Sequence, residues 1–324
     1  MYKWVIILLF LVISCDNRTG PVDDDGNVDN RQEMRWFVEG LSSYAKSINQ
    51  DFIIVPQNGH ELLVLDTSAY PLTPDYTYIN AIDGIGREDL FYGYNSDDHP
   101  TPSSITTSMI KYMDLAETNS IEVLVTDYCS TQDYIDDSYG ENFSHGYVSF
   151  AAESRELNTI PNYDPYNANN SNIETLFDVQ NFLYLINPEN YSSKSSYINS
   201  ITNTSYDLVI MDYFFDEDTF TVEEVQNLHE KSNGGERLVL AYLSIGEAEN
   251  YRYYWDDSWT GNKPIWLLEE NPNWNGNYKV KYWDSDWQSI IYGDSEGYLD
   301  KIIRGGYDGV YLDIIDAYEY FENQ

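Results

Sequence analysis

Basic residues are scarce in this sequence: 17 Lys and Arg stand against 55 Asp and Glu, a net charge of −38 over 324 residues. A surface that acidic repels nucleic-acid phosphates and anionic lipid headgroups, which excludes nucleic acid as a partner and basic-patch membrane binding with it; a cationic ligand is attracted. Cysteine is almost absent. Cys15 sits in the N-terminal leader and Cys129 ends an apolar run, so no intrachain disulfide is open to the mature protein, and Cys129 reads as a small buried hydrophobe. The four histidines, His60, His99, His145 and His229, are scattered and none interrupts an apolar run. They read as surface or supporting residues, with His60 the one that has a claim to a cleft. No metal and no other cofactor is expected, because a metal site would want His or a compact carboxylate triad. No glycine-rich phosphate loop follows a strand, which removes the main support for a nucleotide-binding fold. No Gly-x-Ser-x-Gly elbow is present for a Ser-His-Asp hydrolase.

Long apolar runs are also missing. The one at 4–13, after Lys3, is too short to span a bilayer and has the form of a signal-peptide core. It ends Leu-Val-Ile-Ser-Cys at 11–15, which resembles a bacterial lipobox with Cys15 as the lipidated first residue of the mature chain. An ordinary secretory signal or an uncleaved anchor is the alternative. The expected location is the bacterial cell envelope, held through the lipid alone. Residues 16–32, with Asp23, Asp24 and Asp25, read as a disordered acidic tether, and 33–324 as a single domain, expected to be a monomer.

What is plentiful is tyrosine, 31 residues, within an apolar content of 42% that suffices for a core. Most of the tyrosines must fill the layer between strands and helices; with 8 Trp, the remainder suit stacking on sugar faces. Eight strand-like runs are counted, at 52–55, 121–127, 147–150, 182–186, 208–212, 238–247, 278–283 and 310–315, most of them separated by helical periodicity. That alternation predicts a closed (β/α)₈ barrel in preference to an open doubly wound sheet.

Acids stand where these runs stop. Asp313 interrupts the apolar run after Gly305 and Gly306, Asp316 follows it, and Asp212 and Glu247 end two others. Glu88 and Asp127 come from two more strands. An ionised carboxylate at the end of a buried strand is costly unless paired or used, and in a barrel such ends ring one face. A cap for the following helix, or a lysine partner, is the plainer reading of Asp316. Two converging acids can serve as general acid and nucleophile on a glycosidic bond.

Four motifs carry a family resemblance: Leu-Ser-Ile-Gly-Glu-Ala-Glu-Asn-Tyr-Arg at 243–252, Gly-Tyr-Asp-Gly-Val-Tyr-Leu-Asp-Ile-Ile-Asp-Ala-Tyr at 306–318, Pro-Gln-Asn-Gly at 56–59 and Asp-Gly-Ile-Gly-Arg-Glu-Asp-Leu-Phe-Tyr at 83–92. Together, over roughly 34–324, they resemble the family 114-type glycoside hydrolases, TIM-barrel relatives of endo-α-1,4-polygalactosaminidase. The resemblance implies Asp313 as the nucleophilic carboxylate and Glu88 as acid/base; neighbouring negative charge and partial burial should raise the Glu88 pKa, and Glu247, which also ends an apolar strand, is the substitute for either. Asn58, Tyr92 and Arg252 match other cleft positions, and Asp212, Asp316, Asp127 and Tyr213 join them as expected substrate-binding residues. The motif order departs from the relatives, in which the strand at 184–186 opens the barrel and the first two motifs of this chain come last. A circular permutation with its break after the Asp313 strand accounts for that order. The reading is an envelope glycosidase acting on a cationic, galactosamine-type polymer. A catalytically inert sugar-binding lipoprotein on the same barrel is the alternative. A cysteinyl-tRNA synthetase role, a label that relatives have carried, is opposed by the acidity and the export signal.

Overall fold

A computed structural model describes residues 28–324. The leader, Cys15 and most of the tether lie outside the described residues. The helix Asn30–Ile48 begins inside the segment expected to be tether. Asp29 explains this: its side chain caps the helix by accepting from the Gln32 N–H (3.0 Å).

Eight parallel strands organise the rest of the chain: β1 (Ile53–Pro56), β2 (Gly84–Glu88), β3 (Glu122–Tyr128), β4 (Val148–Ala152), β5 (Phe182–Leu185), β6 (Leu208–Asp212), β7 (Leu238–Ser244) and β8 (Gly309–Asp313). β1, β3, β4, β5 and β7 are buried along their whole length, as expected of strands covered on both faces. Hydrogen-bonded order is β1-β8-β7-β6-β5 in one sheet and β2-β3-β4 in another. A parallel bridge from Gln57 to Gly86 joins the two at β1 and β2. β4 approaches β5 through Phe150 and Phe182, whose ring centroids are 5.8 Å apart. The pairing of the 310–313 run with the 52–55 run is present: Ile53 pairs with Gly309 and Val55 with Tyr311 in a parallel ladder.

Two expected elements change. The 278–283 run is not part of the parallel set; Asn277–Val280 pairs antiparallel with Glu247–Glu249 and Leu267–Glu270 in a separate three-stranded arm. Its place in the parallel set is taken by β2, whose glycines at 84 and 86 make it look like a loop in sequence. The sequence from Ser285 to Arg304 reads as one helix before β8, but it is broken into Ser285–Ile291 and Tyr298–Arg304, with Gly293 at φ +119° in the gap. Among the described residues no helix is long and apolar enough to cross a membrane.

Tyrosines fill the space beneath the C-terminal strand ends. Tyr184 and Tyr311 meet edge to face, 5.1 Å between centroids, and both are essentially buried. The Tyr184 hydroxyl donates to Gln57 Oε1 (2.8 Å), whereas the buried Tyr311 hydroxyl has no partner. Gly86 is the reason that ring fits, since a Cβ there would overlap the Tyr311 hydroxyl oxygen. Gly86→Ala should therefore cost about 1–3 kcal/mol by overpacking, measured by denaturant unfolding. Adding Tyr311→Phe removes the nearest atom but leaves two ring carbons 2.5 and 2.9 Å from that Cβ, so it should recover only part of the loss. Equal stability of Gly86→Ala and the parent protein would contradict this packing.

Candidate active site

Period-two alternation places Gly309, Tyr311 and Asp313 on one face of β8, and the last of them opens into a cleft of about 400 Å³. Asn58, after β1, and Glu88, at the end of β2, line the same cleft, as do Asp212 at the end of β6 and Asp316 after β8. The chain turns sharply as it leaves three of these strands: Asn58, Asp89 and Ile314 all have φ between 57 and 63°. For a β-branched residue such as Ile314 that conformation costs on the order of 1–3 kcal/mol, and it is held here immediately after Asp313. Gly246 supports it, because a Cβ at that position would overlap the Ile314 carbonyl oxygen.

Each of the two principal carboxylates is held by a buried tyrosine. The Tyr242 hydroxyl donates to Asp313 Oδ2 (2.6 Å). The Tyr128 hydroxyl donates to Glu88 Oε1, while Asn58 Nδ2 donates to Glu88 Oε2 (2.9 Å). Tyr128 in turn lies under the Arg155 guanidinium, 4.3 Å from its ring centroid. Burial, and then the charge of Glu88, push the Asp313 carboxyl up to about 7, against the Tyr242 hydrogen bond and the Ile314 N–H. Asp316 is pushed up to about 6 by burial and by the charges of Glu319 and Glu88. Asp313, the nucleophile implied by the sequence, is thus a carboxyl with a raised pKa.

Five carboxylates line the cleft (Glu88, Asp212, Glu249, Asp313, Asp316) against two arginines (Arg155, Arg252), and both arginines are occupied. Arg252 meets Asp212 through two hydrogen bonds (2.9 and 2.7 Å) and Glu249 through Nε (2.7 Å). Burial raises the Asp212 carboxyl, and the Arg252 guanidinium holds it down in opposition. Arg155 donates to Asp89 (2.6 Å) and pairs with Asp97 (2.9 Å). The cleft therefore offers an excess of negative charge with no free cation among its lining residues. Among the described residues no three His, Cys, Asp or Glu side chains are grouped so as to hold a metal ion.

Of the residues singled out in the sequence, Asp313, Glu88, Asp212, Asn58, Arg252 and Asp316 come together in the cleft, and five others do not. Glu247 is 1% exposed and turned into the antiparallel arm, where Oε1 accepts from Asn271 (2.8 Å) and Lys279 (3.4 Å). β7 ends at Ser244, so Glu247 belongs to the arm rather than to the end of a parallel strand. Asp127 is fully buried, and its oxygens accept from the Phe91 and Tyr92 N–H groups (2.9 and 3.1 Å), Ser138 (2.7 Å) and Asn142 (3.1 Å). It shapes the loop that follows Glu88. Tyr92 donates to Asp137 (2.6 Å) and stacks on Tyr134, and Tyr213 packs against Phe214, Tyr298 and Tyr307. His60 also lies outside the lining, packed on Tyr112 and lowered to about 4 by burial and Arg87. Missed in the sequence were Glu249, two residues beyond Glu247, and Tyr128, one beyond Asp127. Strands buried on both faces carry no polarity signal to say which neighbour faces inward.

Residues 168–324 match the model of glycoside-hydrolase family GH114. GH114 is a TIM-barrel family, and its match supports a glycoside hydrolase in general terms. The GH114 segment contains the 243–252 and 306–318 motifs; the 56–59 and 83–92 motifs, which supply Asn58 and Glu88, precede it. An uncharacterised protein of Methanocaldococcus jannaschii is 44% identical over 134 residues, 40% of this chain and 36% of its own. One of Deinococcus radiodurans is 41% identical over 128 residues (39% of each), and one of Thermotoga maritima 38% over 127 (38% and 37%). The matched stretch thus spans well under half the length of each relative.

The raised Asp313 has a consequence for stability. Its carboxyl titrates near 7 when folded and near 3.8 when free, so the folded chain binds more protons between these values and loses stability as pH rises through that window. Asp313→Asn removes the loss. The variant should melt at a higher temperature than the parent at pH 8, by up to about 4 kcal/mol in unfolding free energy, and the gain should fade as pH is lowered to 4. A variant less stable than the parent at pH 8 would contradict the assignment.

Proposed function

We propose that this protein is a glycosidase that cleaves a cationic amino-sugar chain, of galactosamine type, with Asp313 and Glu88 as its reacting pair. The observation that carries the reading is a cleft in which these two acids stand among an excess of carboxylates whose arginines are both already paired. A sugar bearing a free ammonium is drawn to such a cleft and a phosphorylated or uronic one is repelled. Asp313 supplies the carboxylate on the anomeric side, and Glu88, steadied by Tyr128 and Asn58, supplies the proton to the departing oxygen.

Before substrate binds, burial and the charge of Glu88 keep Asp313 partly protonated near neutral pH. An ammonium group brought in by the substrate supplies the opposite charge that the site lacks, lowers the Asp313 pKa and releases that carboxylate for reaction. Substrate binding therefore ionises the nucleophile. Aryl glycosides of galactosamine and of N-acetylgalactosamine test this. With the cationic sugar, the acid limb of kcat/KM, which reports the free enzyme, should lie near pH 7, and that of kcat well below it. With the acetylated sugar the two limbs should nearly coincide. Coincident limbs for the cationic sugar would remove this mechanism.

We also infer that the eight strands close into one barrel whose chain order is circularly permuted. In support, the family match starts at residue 168 while the motifs carrying Asn58 and Glu88 lie ahead of it, and β8 pairs with β1. Arg31 and Glu322 form a double hydrogen bond (2.8 and 3.0 Å), so the two ends of the described chain are adjacent. A rearranged chain that begins near residue 168 and joins 324 to 30 through a short linker should fold and keep activity. Failure of that chain to fold, with the parent order folding normally, would count against the permutation.

A further inference from the structure

Between β7 and the helix Ser285–Ile291 the antiparallel arm lines one side of the cleft, contributing Glu249, Tyr251, Trp274 and Asn277. Two of these are aromatic rings left in solvent, Tyr251 at 57% exposure and Trp274 at 51%. Large rings usually recover burial free energy by packing, and rings that stay exposed beside a cleft mark a place where something else covers them. The Tyr251 ring is pre-ordered, and so is the backbone that carries Trp274. The Tyr251 hydroxyl is shared between Glu249 Oε1 (2.7 Å) and Asn277 Oδ1 (3.2 Å), which are brought side by side by the strand register. The Arg252 guanidinium, itself locked by Asp212 and Glu249, lies 5.1 Å from the Tyr251 ring centroid. Trp274 sits in a turn closed by the Asn277 N–H donating to its carbonyl (3.1 Å), and the Asn250 N–H donates to Gly276 in the same turn (2.8 Å).

We propose that Tyr251 and Trp274 form a second sugar subsite on the arm, one that stacks a pyranose unit adjacent in the chain to the unit held at Asp313 and Glu88. A pyranose presents a face of C–H groups that packs on an aromatic ring, while its polar rim meets Glu249 and Asn277. Because the Tyr251 ring and the Trp274 turn are held before binding, the ordering cost that opposes the contact is reduced. The substrate is thereby an oligomer or polymer rather than a single terminal sugar. This inference rests on the glycosidase reading above.

Binding to the Asp313→Asn protein, measured by calorimetry with a galactosamine tetramer and the monomer, separates the two. The tetramer should bind more tightly, and adding Trp274→Ala should shrink the tetramer-to-monomer affinity ratio roughly tenfold. Trp274→Phe, which keeps a ring, should restore most of the ratio. Tyr76→Ala, which removes a ring 61% exposed that does not line the cleft, should leave it unchanged. A ratio untouched by Trp274→Ala, or a tetramer that binds no better than the monomer, overturns the subsite. If the parent protein nevertheless cleaves the polymer, the glycosidase reading stands without it; if neither sugar binds, both fall.

Discussion

The structure depends on holding the Asp313 carboxylate inside a strand-rich interior next to the charge of Glu88. Nothing in the cleft neutralises the pair, because Arg252 and Arg155 are committed to Asp212, Glu249, Asp89 and Asp97. What remains is hydrogen bonding from tyrosines whose burial keeps them protonated: Tyr242 on Asp313 and Tyr128 on Glu88. Neutral donors hold the two acids in place without cancelling the repulsion between them. The repulsion is then available to a cationic ligand, which relieves it on binding.

The surrounding fold serves that arrangement. Left-handed turns at Asn58, Asp89 and Ile314 take the chain abruptly away from the strand ends and leave the side chains just before them open to the cleft. Asp127, an acid of the same apparent kind as the others in sequence, is spent on the opposite side of β3, where four donors fix the loop after Glu88. The stabilising role of one carboxylate makes the exposed role of another possible.

Most of the parallel strands were legible because their apolar runs are short, β-branched and bounded by helical periodicity, and the ends carrying Asp313 and Asp212 followed from them, whereas Glu88 was found through its motif. β2 was obscured by Gly84 and Gly86, which look like loop residues and are needed to admit Leu176 and Tyr311. The arm at 247–280 was not legible: Glu247 ends an apolar run in sequence, but the turn at Ile245 and Gly246 moves it off the parallel strands and presents Glu249 instead. Neighbouring pairs such as Asp127 and Tyr128 are separated only by side-chain direction, which a strand buried on both faces does not encode in polarity.

The central claim is that an anionic cleft built on Asp313 and Glu88 acts on a sugar chain with free amino groups. Mass analysis of products from one galactosamine polymer, presented fully deacetylated and fully acetylated, tests it most directly. The account predicts shortened chains from the deacetylated polymer, far fewer from the acetylated one, and none from either with Asp313→Asn. Equal cleavage of both polymers, or products that persist in Asp313→Asn, would contradict it.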